Sequence, residues 1–239
     1  MLPYEVSADV PGRFAELIAA ELARGAFCAL SGGSTFKVLA ASLSNHLDAV
    51  AANGSIGQVD ERFVPVASSN SNFETLRTSL AGLPVHLEPM IQSPAPSDER
   101  LLEEAEQEPY SPGAALLTFA EAQARRYDLL IRSQDKLGLV HLGVGTDGHT
   151  ASLFPGSPAL EAENGLVTLN QDPNRHNPFL RITLTLEAIS FFPKRVIVAV
   201  GSTKATIVRE VLYGSGLPIH RVPERATLLL IDEDAAALL

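Results

Sequence analysis

The chain has 239 residues and 46% hydrophobic content, enough for a substantial core, and one domain spanning residues 1–239 is favoured over two small ones. Its formal net charge is -10, so nucleic acid or an acidic membrane would have to bind against the overall electrostatic field. We therefore expect neither partner. A small anionic ligand remains compatible with this charge wherever a few cations converge.

The single cysteine and the first residues of the chain indicate in which cellular compartment we expect the protein. Cys28 lies in an apolar run, where it reads as a small buried residue, and it has no second cysteine with which to form an internal disulfide. No cationic segment followed by an apolar one opens the chain, and no apolar run approaches the ~20 residues needed to cross a bilayer. We expect a cytoplasmic protein, and the sequence leaves its oligomeric state open, a monomer included.

Strands and helices are predicted to alternate along the chain. In chain order we predict a helix over 11–24, a strand over 26–30, a turn at 31–34, a helix over 35–47, a strand over 55–59, helices over 72–80 and 114–133, strands over 137–144 and 195–200, a helix over 203–213, a strand over 226–231 and a short last helix. Segments 166–170 and 182–186 are candidates for additional, antiparallel strands. The alternation is typical of a doubly wound, Rossmann-like α/β fold, with a mainly parallel sheet and helices on both faces.

Segment 88–113 interrupts this order. It carries five prolines around the acidic run Glu103-Glu104-Ala105-Glu106, which is a poor core sequence. We expect a surface excursion with a short solvated helix.

The stretch from Leu142 to Gly156 is where the pattern most strongly indicates chemistry. A strand buried on both faces breaks off into glycines and then presents Asp147 and His149. In open α/β sheets the ligand crevice lies beyond the carboxyl ends of the strands, so both side chains would border it. The plainer alternative is that Asp147 caps a turn and His149 is a surface residue. His141, inside the strand, is expected to be a core histidine with its hydrogen bonds satisfied.

Five blocks in order resemble the 6-phosphogluconolactonases, a family that hydrolyses the lactone of 6-phosphogluconate in the pentose phosphate pathway. They are Ser31-Gly-Gly-Ser-Thr35, Asp60-Glu-Arg-Phe-Val-Pro65 with Ser71-Asn72, the stretch from Leu142 to Gly156, Arg181-Ile-Thr-Leu-Thr185 and Gly201-Ser-Thr-Lys-Ala205. One such block would be weak evidence, but the five together span most of the chain.

Cations and helix starts predict a phosphate site. The Ser31–Ser34 turn follows a strand and opens a helix, which suits an anion, although an ordinary connection with Ser34 as N-cap fits the turn equally well. Lys204, in the first turn of a helix, opposes the helix dipole unless an anion binds there. The resemblance implies that basic residues of its blocks surround the sugar phosphate. The predicted substrate-binding residues are Ser31, Gly32, Gly33, Ser34, Asp60, Arg62, Gly148, Arg181 and Lys204.

The lactone is an ester, so its hydrolysis needs an activated water and stabilisation of an oxyanion. We assign water activation to His149, because imidazole titrates near neutrality, and orientation of that imidazole to Asp147. Backbone N–H groups of the glycine-rich turn are candidates for the oxyanion. No cofactor is expected, and no metal either, since the histidines are dispersed and the one cysteine lies in a predicted strand.

Three other functions fit parts of the pattern. A nicotinamide-dinucleotide turn would need a helix to begin at once after Gly148, but Pro155, Gly156 and Pro158 interrupt the segment that follows. Glucosamine-6-phosphate deaminase shares similar blocks, but its pattern has an acidic residue five positions after the histidine, where this chain has Phe154. A non-catalytic sugar-phosphate-binding protein is the third; retention of both the acid and the histidine favours an enzyme.

Overall fold

The computed structural model describes residues 2–47, 53–93, 95–163 and 165–239. The helices are α1 Val10–Leu22, α2 Gly33–Ala40, α3 Asn72–Ser79, α4 Pro96–Gln107, α5 Ala114–Arg132, α6 Leu186–Phe191 and α7 Ala205–Tyr213. The strands are β1 Tyr4–Val6, β2 Phe27–Leu30, β3 Ser55–Gln58, β4 Asp60–Arg62, β5 His86–Glu88, β6 Leu137–Gly143, β7 Val167–Asn170, β8 Arg181–Leu184, β9 Lys194–Ala199 and β10 Thr227–Ile231. Within these ranges, no helix has the length and apolar content needed to cross a bilayer.

Two sheets organise the described residues. The larger one has seven strands in the order β1-β10-β9-β6-β2-β3-β5, and every neighbouring pair is parallel. The smaller one has the order β4-β8-β7, and both of its pairs are antiparallel. The α/β fold with a mainly parallel sheet is therefore confirmed, and the additional strands are antiparallel, as the sequence allowed.

Both faces of the larger sheet are covered. Along β2, Phe27 and Ala29 belong to one apolar cluster, while Cys28 and Leu30 belong to another. Successive side chains of a strand point to opposite faces, so the two clusters lie on opposite sides of the sheet. This explains why β2 is a continuous apolar run without alternation, as expected for a parallel strand buried on both faces.

Strand order positions the site. β9, β6 and β2 are consecutive in the larger sheet and run parallel, so their carboxyl ends meet at one edge. β2 leads into α2, β6 into the glycine-rich turn, and β9 into a short 3-10 helix at Ser202–Lys204. Three of the predicted site blocks are thereby brought to one crevice, as expected for ligand sites in doubly wound sheets.

Several predicted elements were wrong in extent or type. The helix predicted over 35–47 is α2, which begins at Gly33 and ends at Ala40, with a separate 3-10 turn at Leu43–Asn45. The predicted last helix is a series of turns after Asp232. Within segment 182–186 the strand ends at Leu184 and α6 begins at Leu186.

The excursion over 88–113 is only partly a surface feature. It contains α4, a mainly solvated helix with Leu102 buried, as predicted. Its beginning is core, because Met90 is fully buried and its N–H donates to the Gln58 side chain at 2.8 Å. The expectation of a poor core sequence was therefore wrong for its first residues.

His141 is buried, but its expected hydrogen bonds are absent. The residue is 0% exposed, and neither ring nitrogen has a partner among the described residues. Its imidazole lies against the rings of Phe14 and Phe36, with centroids 4.9 Å and 6.5 Å away. Burial lowers the pKa of His141 to about 3, so the ring is neutral in the folded protein.

Candidate active site

The loops that follow β2, β6 and β9 border a cleft of about 260 Å³. Most of the residues predicted to form the site line this one cleft, namely Ser31, Gly32, Gly33, Ser34, Asp60, Arg62, His149, Arg181 and Lys204. Asp147 and Gly148 do not line it, but they lie in the same turn as His149. The structure therefore brings the blocks predicted from separate parts of the chain to one place.

Asp147 and His149 form a hydrogen-bonded pair. The Asp147 carboxylate lies 2.5 Å from His149 Nδ1 and also accepts the His149 backbone N–H at 3.2 Å. Burial alone would raise the pKa of Asp147, but the hydrogen bonds and the charge of His149 hold it below its ordinary value. A Cβ atom on Gly145 would lie 2.3 Å from the imidazole, so only glycine allows this approach.

Two backbone N–H groups of the glycine-rich turn donate hydrogen bonds within the turn itself. Gly145 N–H donates to the His149 carbonyl at 2.8 Å, and Gly148 N–H donates to the Gly145 carbonyl at 3.0 Å. These two groups are therefore not oriented to stabilise an oxyanion, contrary to expectation. Gly148 has a φ of +79°, and a Cβ there would meet the Leu217 side chain at 2.8 Å, so it permits close packing behind the turn.

Arg62 and Arg181 lie opposite one another in the smaller sheet. They are a register pair between the antiparallel strands β4 and β8. Like charges directly opposite on one sheet face repel each other. Burial and the Arg62 charge lower the pKa of Arg181 to about 10, and Asp60 partly offsets this shift. The pair is thus a site of concentrated positive charge facing the cleft.

Asp60 connects the smaller sheet to Ser152, which lies shortly after the Asp147–His149 pair. Its carboxylate accepts a hydrogen bond from Ser152 Oγ at 2.6 Å and lies 3.7 Å from the Arg181 guanidinium. The Ser152 N–H in turn donates to the Thr183 hydroxyl at 3.1 Å. All four residues are buried, so this network fixes Arg181 relative to the turn that carries His149.

Arg62 is held by polar groups near the start of α3. Its guanidinium donates to the Asn70 carbonyl at 2.5 Å and to Asn72 Oδ1 at 3.0 Å. The Asn70 side chain reaches Glu106 of α4 at 2.9 Å, so the acidic helix supports this end of the site. The buried Glu61 carboxylate accepts the Asn72 N–H at 2.7 Å and ties α3 to β4.

The start of α2 faces the cleft, with Gly32 as its N-cap residue. The alternative in which Ser34 caps this helix is therefore wrong, since Ser34 lies within its first turn. Gly33 has a φ of +85°, and a Cβ on Gly32 would lie 2.7 Å from Cβ of Asn72. The Ser31 hydroxyl donates to the His141 carbonyl at 3.0 Å, so its proton is engaged within the protein.

Lys204 reaches the cleft from the end of β9. It is the N-cap residue of α7, and its Nζ donates to the Val144 carbonyl at 2.8 Å. Burial lowers the pKa of Lys204, while the Asp147 carboxylate opposes that shift. The ammonium group thus lies beside the glycine-rich turn.

No group of three or more metal-ligating side chains occurs in the part of the chain that the structure describes. The chemistry of the cleft, with two arginines, a lysine and helix amides, suits an anionic oxygen ligand.

Comparison with known proteins places the chain in a family. The family model described as "Glucosamine-6-phosphate isomerases/6-phosphogluconolactonase" matches residues 3–230. The chain belongs to this family. It is 32% identical to the 6-phosphogluconolactonase of Rattus norvegicus, over 99% of this chain and 91% of that protein. It is 33% identical to the 6-phosphogluconolactonase of Homo sapiens, over 88% of this chain and 79% of that protein.

Solved structures share the fold of this family member. A 6-phosphogluconolactonase from Trypanosoma brucei superposes with a TM-score of 0.79 at 24% identity, covering 100% of this chain and 99% of that one. A monomeric glucosamine-6-phosphate deaminase superposes with a TM-score of 0.72 at 18% identity, covering 99% and 98%. The fold is therefore shared by a lactonase and a deaminase, the two activities in the family's description. The fold alone does not distinguish these activities, so the side chains of the site must do so.

Phe154 lies beside two of the predicted site residues. It is 1% exposed, and its ring lies 5.1 Å from the His149 ring and 5.7 Å from the Arg181 guanidinium carbon. From the sequence resemblance, a deaminase is expected to have an acidic residue at this position. In this family member an apolar ring packs beside both the imidazole and the arginine, so this position supplies no acid or base.

Sequence reasoning missed several side chains of the site. Asn72 and Asn177 line the cleft, and Ser152 joins Asp60 to the turn after β6. Ser71-Asn72 belongs to one of the five blocks that resemble the lactonases, so the sequence contained a signal that could have placed Asn72 in the site. Asn177 lies in a loop of unusual sequence whose contacts no local pattern predicts.

Proposed function

We propose that this chain hydrolyses 6-phospho-D-glucono-1,5-lactone to 6-phosphogluconate, the lactonase step of the pentose phosphate pathway. The observation that carries the proposal is the pairing, in one cleft, of a carboxylate-oriented imidazole with two opposed arginines. A phosphorylated lactone has an ester carbonyl, which suits a general base such as the imidazole, and a phosphate dianion, which suits the two arginines. The family relationship supports the same reaction.

The phosphate is assigned to the cationic end. Arg62 and Arg181 repel each other when no ligand is bound, and an anion between them would remove that repulsion and take charge-assisted hydrogen bonds from both. The start of α2, from Gly32 to Ser34, adds backbone N–H donors and the positive end of a helix dipole. Lys204 provides a third cation at the cleft.

The reacting ester is assigned to the end with Asp147 and His149. An ionised Asp147 accepts a hydrogen bond from the Nδ1–H of His149, and in this tautomer Nε2 carries a free lone pair. We propose that Nε2 takes a proton from water as that water attacks the lactone carbonyl carbon. The tetrahedral intermediate then collapses, the bond to the ring oxygen breaks, and the imidazolium returns the proton to that oxygen. The product is the open-chain acid.

The test is direct hydrolysis by the purified protein. Loss of 6-phosphogluconolactone is followed by NMR, and His149→Ala should reduce the enzymatic rate by about a thousandfold, the loss of a general base together with its orientation. His86→Ala is the matched control, because His86 is exposed on the edge strand β5 and its side chain pairs with Glu88, away from the cleft lining. A wild-type rate equal to that of buffer would exclude the lactonase and favour the non-catalytic binding protein.

Glucosamine 6-phosphate distinguishes the deaminase. With Phe154 at the position of the acid, we expect no ammonia release from that substrate. Measurable ammonia, dependent on His149, would assign the chain to the other branch of the family.

Two proposals concern the chain as a whole. We infer that residues 1–239 form one domain, supported by the two apolar clusters that share the strands of one sheet. A single calorimetric transition with equal calorimetric and van't Hoff enthalpies is the expected result. We also infer a cytoplasmic location, which the unpaired, buried Cys28 supports.

A further inference from the structure

The loop between β7 and β8 is organised by one buried carboxylate. Asp172 is 3% exposed and accepts hydrogen bonds from the N–H groups of Asn174, His176 and Asn177 at 2.8, 3.1 and 2.9 Å. It also accepts the side-chain amide of Asn177 at 2.8 Å. Burial alone would raise the pKa of Asp172, but these donors hold it below its ordinary value, so the carboxylate is ionised.

The backbone of this loop is held in a costly conformation. Arg175 and Phe179 have φ values of 57° and 78°, in the left-handed region that non-glycine residues avoid. Such conformations persist where the surroundings over-determine them, and they cluster at functional sites. Asn177 lies between the two and lines the cleft. Its position is therefore fixed from both sides of the loop.

The hydrogen bond to Asp172 determines which atom Asn177 can offer to a ligand. An ionised carboxylate only accepts, so the amide nitrogen must face it, and the oxygen Oδ1 is left. No described residue donates to that oxygen. Arginine, lysine and helix N–H groups supply donors elsewhere in the cleft, which suits phosphate oxygens. A sugar hydroxyl that donates a hydrogen bond needs an acceptor instead.

We propose that Asn177 is a specificity-determining residue whose Oδ1 accepts a hydrogen bond from a ring hydroxyl of the sugar lactone, with Asp172 as its positioning residue. The inference rests on the proposed lactonase function and adds to it a recognition of the hydroxyl pattern of the ring. In this proposal neither residue takes part in proton transfer. Asn177 binds the substrate hydroxyl, Asp172 orients Asn177, and both therefore affect which substrate is selected.

The experiment compares kcat/KM for the hydroxylated lactone with that for analogues lacking one ring hydroxyl at a time. For one analogue, the wild type should discriminate by roughly tenfold, the net effect of one neutral hydrogen bond. Asn177→Ala should lose that discrimination and keep the others. Asn174→Ala is the matched control, because Asn174 is an exposed asparagine in the same loop that does not line the cleft.

Asp172→Asn separates positioning from simple stability. It should lose the same discrimination as Asn177→Ala, whereas a purely structural carboxylate would lower the melting temperature and leave substrate preference unchanged. Wild-type hydrolysis with unaltered discrimination in Asn177→Ala overturns this inference alone. A wild type that does not hydrolyse the lactone overturns both the inference and the proposed function.

Discussion

Replacing His141 with leucine should stabilise the protein. The imidazole is fully buried beside Phe14 and Phe36, and both of its nitrogens lack partners among the described residues. A buried polar group without a hydrogen bond costs roughly 1 to 3 kcal/mol, and an apolar side chain of similar size avoids that cost. At neutral pH we therefore expect His141→Leu to raise the free energy of unfolding by about 1 to 3 kcal/mol.

The advantage of the variant should grow in acid. The pKa of His141 falls from an ordinary 6.5 to about 3 on folding, so between these values the unfolded chain binds a proton that the folded protein does not. Wild-type stability is therefore complete above pH 6.5 and falls as the pH drops toward 3. Each pH unit within that window removes about 1.4 kcal/mol, so the difference between variant and wild type should widen by about 2 kcal/mol from pH 7 to pH 5.

Urea denaturation at pH 7, 6 and 5 measures this difference. Other titrating groups affect both proteins alike, so subtracting the two curves isolates His141. His86→Leu provides the control. The His86 side chain is exposed, so replacing it relieves no cost of burying an imidazole, and we expect no comparable gain in the free energy of unfolding. A wild-type advantage over His141→Leu at pH 7, or a gap that does not widen toward pH 5, would refute an unpaired, neutral imidazole in the core.

Three other substitutions test the remaining contacts. Inorganic phosphate should raise the melting temperature of the wild type but not of Arg62→Gln, as measured by a thermal shift series, and equal shifts would remove Arg62 from the anion site. Gly32→Ala should destabilise the protein by roughly 1 to 3 kcal/mol in urea, because the new Cβ would lie 2.7 Å from Cβ of Asn72. Tyr127→Phe should cost about 2 kcal/mol by the same assay, since the hydroxyl bonds both the N–H and the carbonyl of buried Gln58, and no change would mean that water replaces it.

The parallel sheet was predictable because its strands carry their own signal. Mainly apolar runs such as β2 and β6 are buried on both faces, and glycines occur at or just after the carboxyl end of each. The smaller sheet was harder to predict. β4 has only three residues, Asp60–Arg62, and pairs with β8 more than a hundred positions later. A strand so short and polar is defined by its partner, and local sequence does not reveal that partner.

Two errors at helix ends have local physical causes. Leu39, Leu43 and Leu47 keep a helical spacing and are all buried, but the α-helix ends at Ala40 and a 3-10 turn continues the buried face. Burial periodicity therefore does not report the hydrogen-bond pattern. At the C-terminus, the Asp232 carboxylate accepts the N–H groups of Gly201 and Ala235, and this competes with the helix that the alanines favour.

Several unfavourable features of the fold lie at the cleft. Arg62 and Arg181 are opposed like charges in its lining. Ala151 lines it with a positive φ, and Arg175 and Phe179, also with positive φ, lie on either side of the lining residue Asn177. These terms oppose folding, so core burial must offset them, and a ligand that neutralises the arginines removes the electrostatic part. Binding is then coupled to stability. An anion bound between the two arginines should stabilise the folded chain more than simple ionic strength does, because screening only weakens the repulsion, whereas a bound anion also accepts hydrogen bonds from the guanidinium groups.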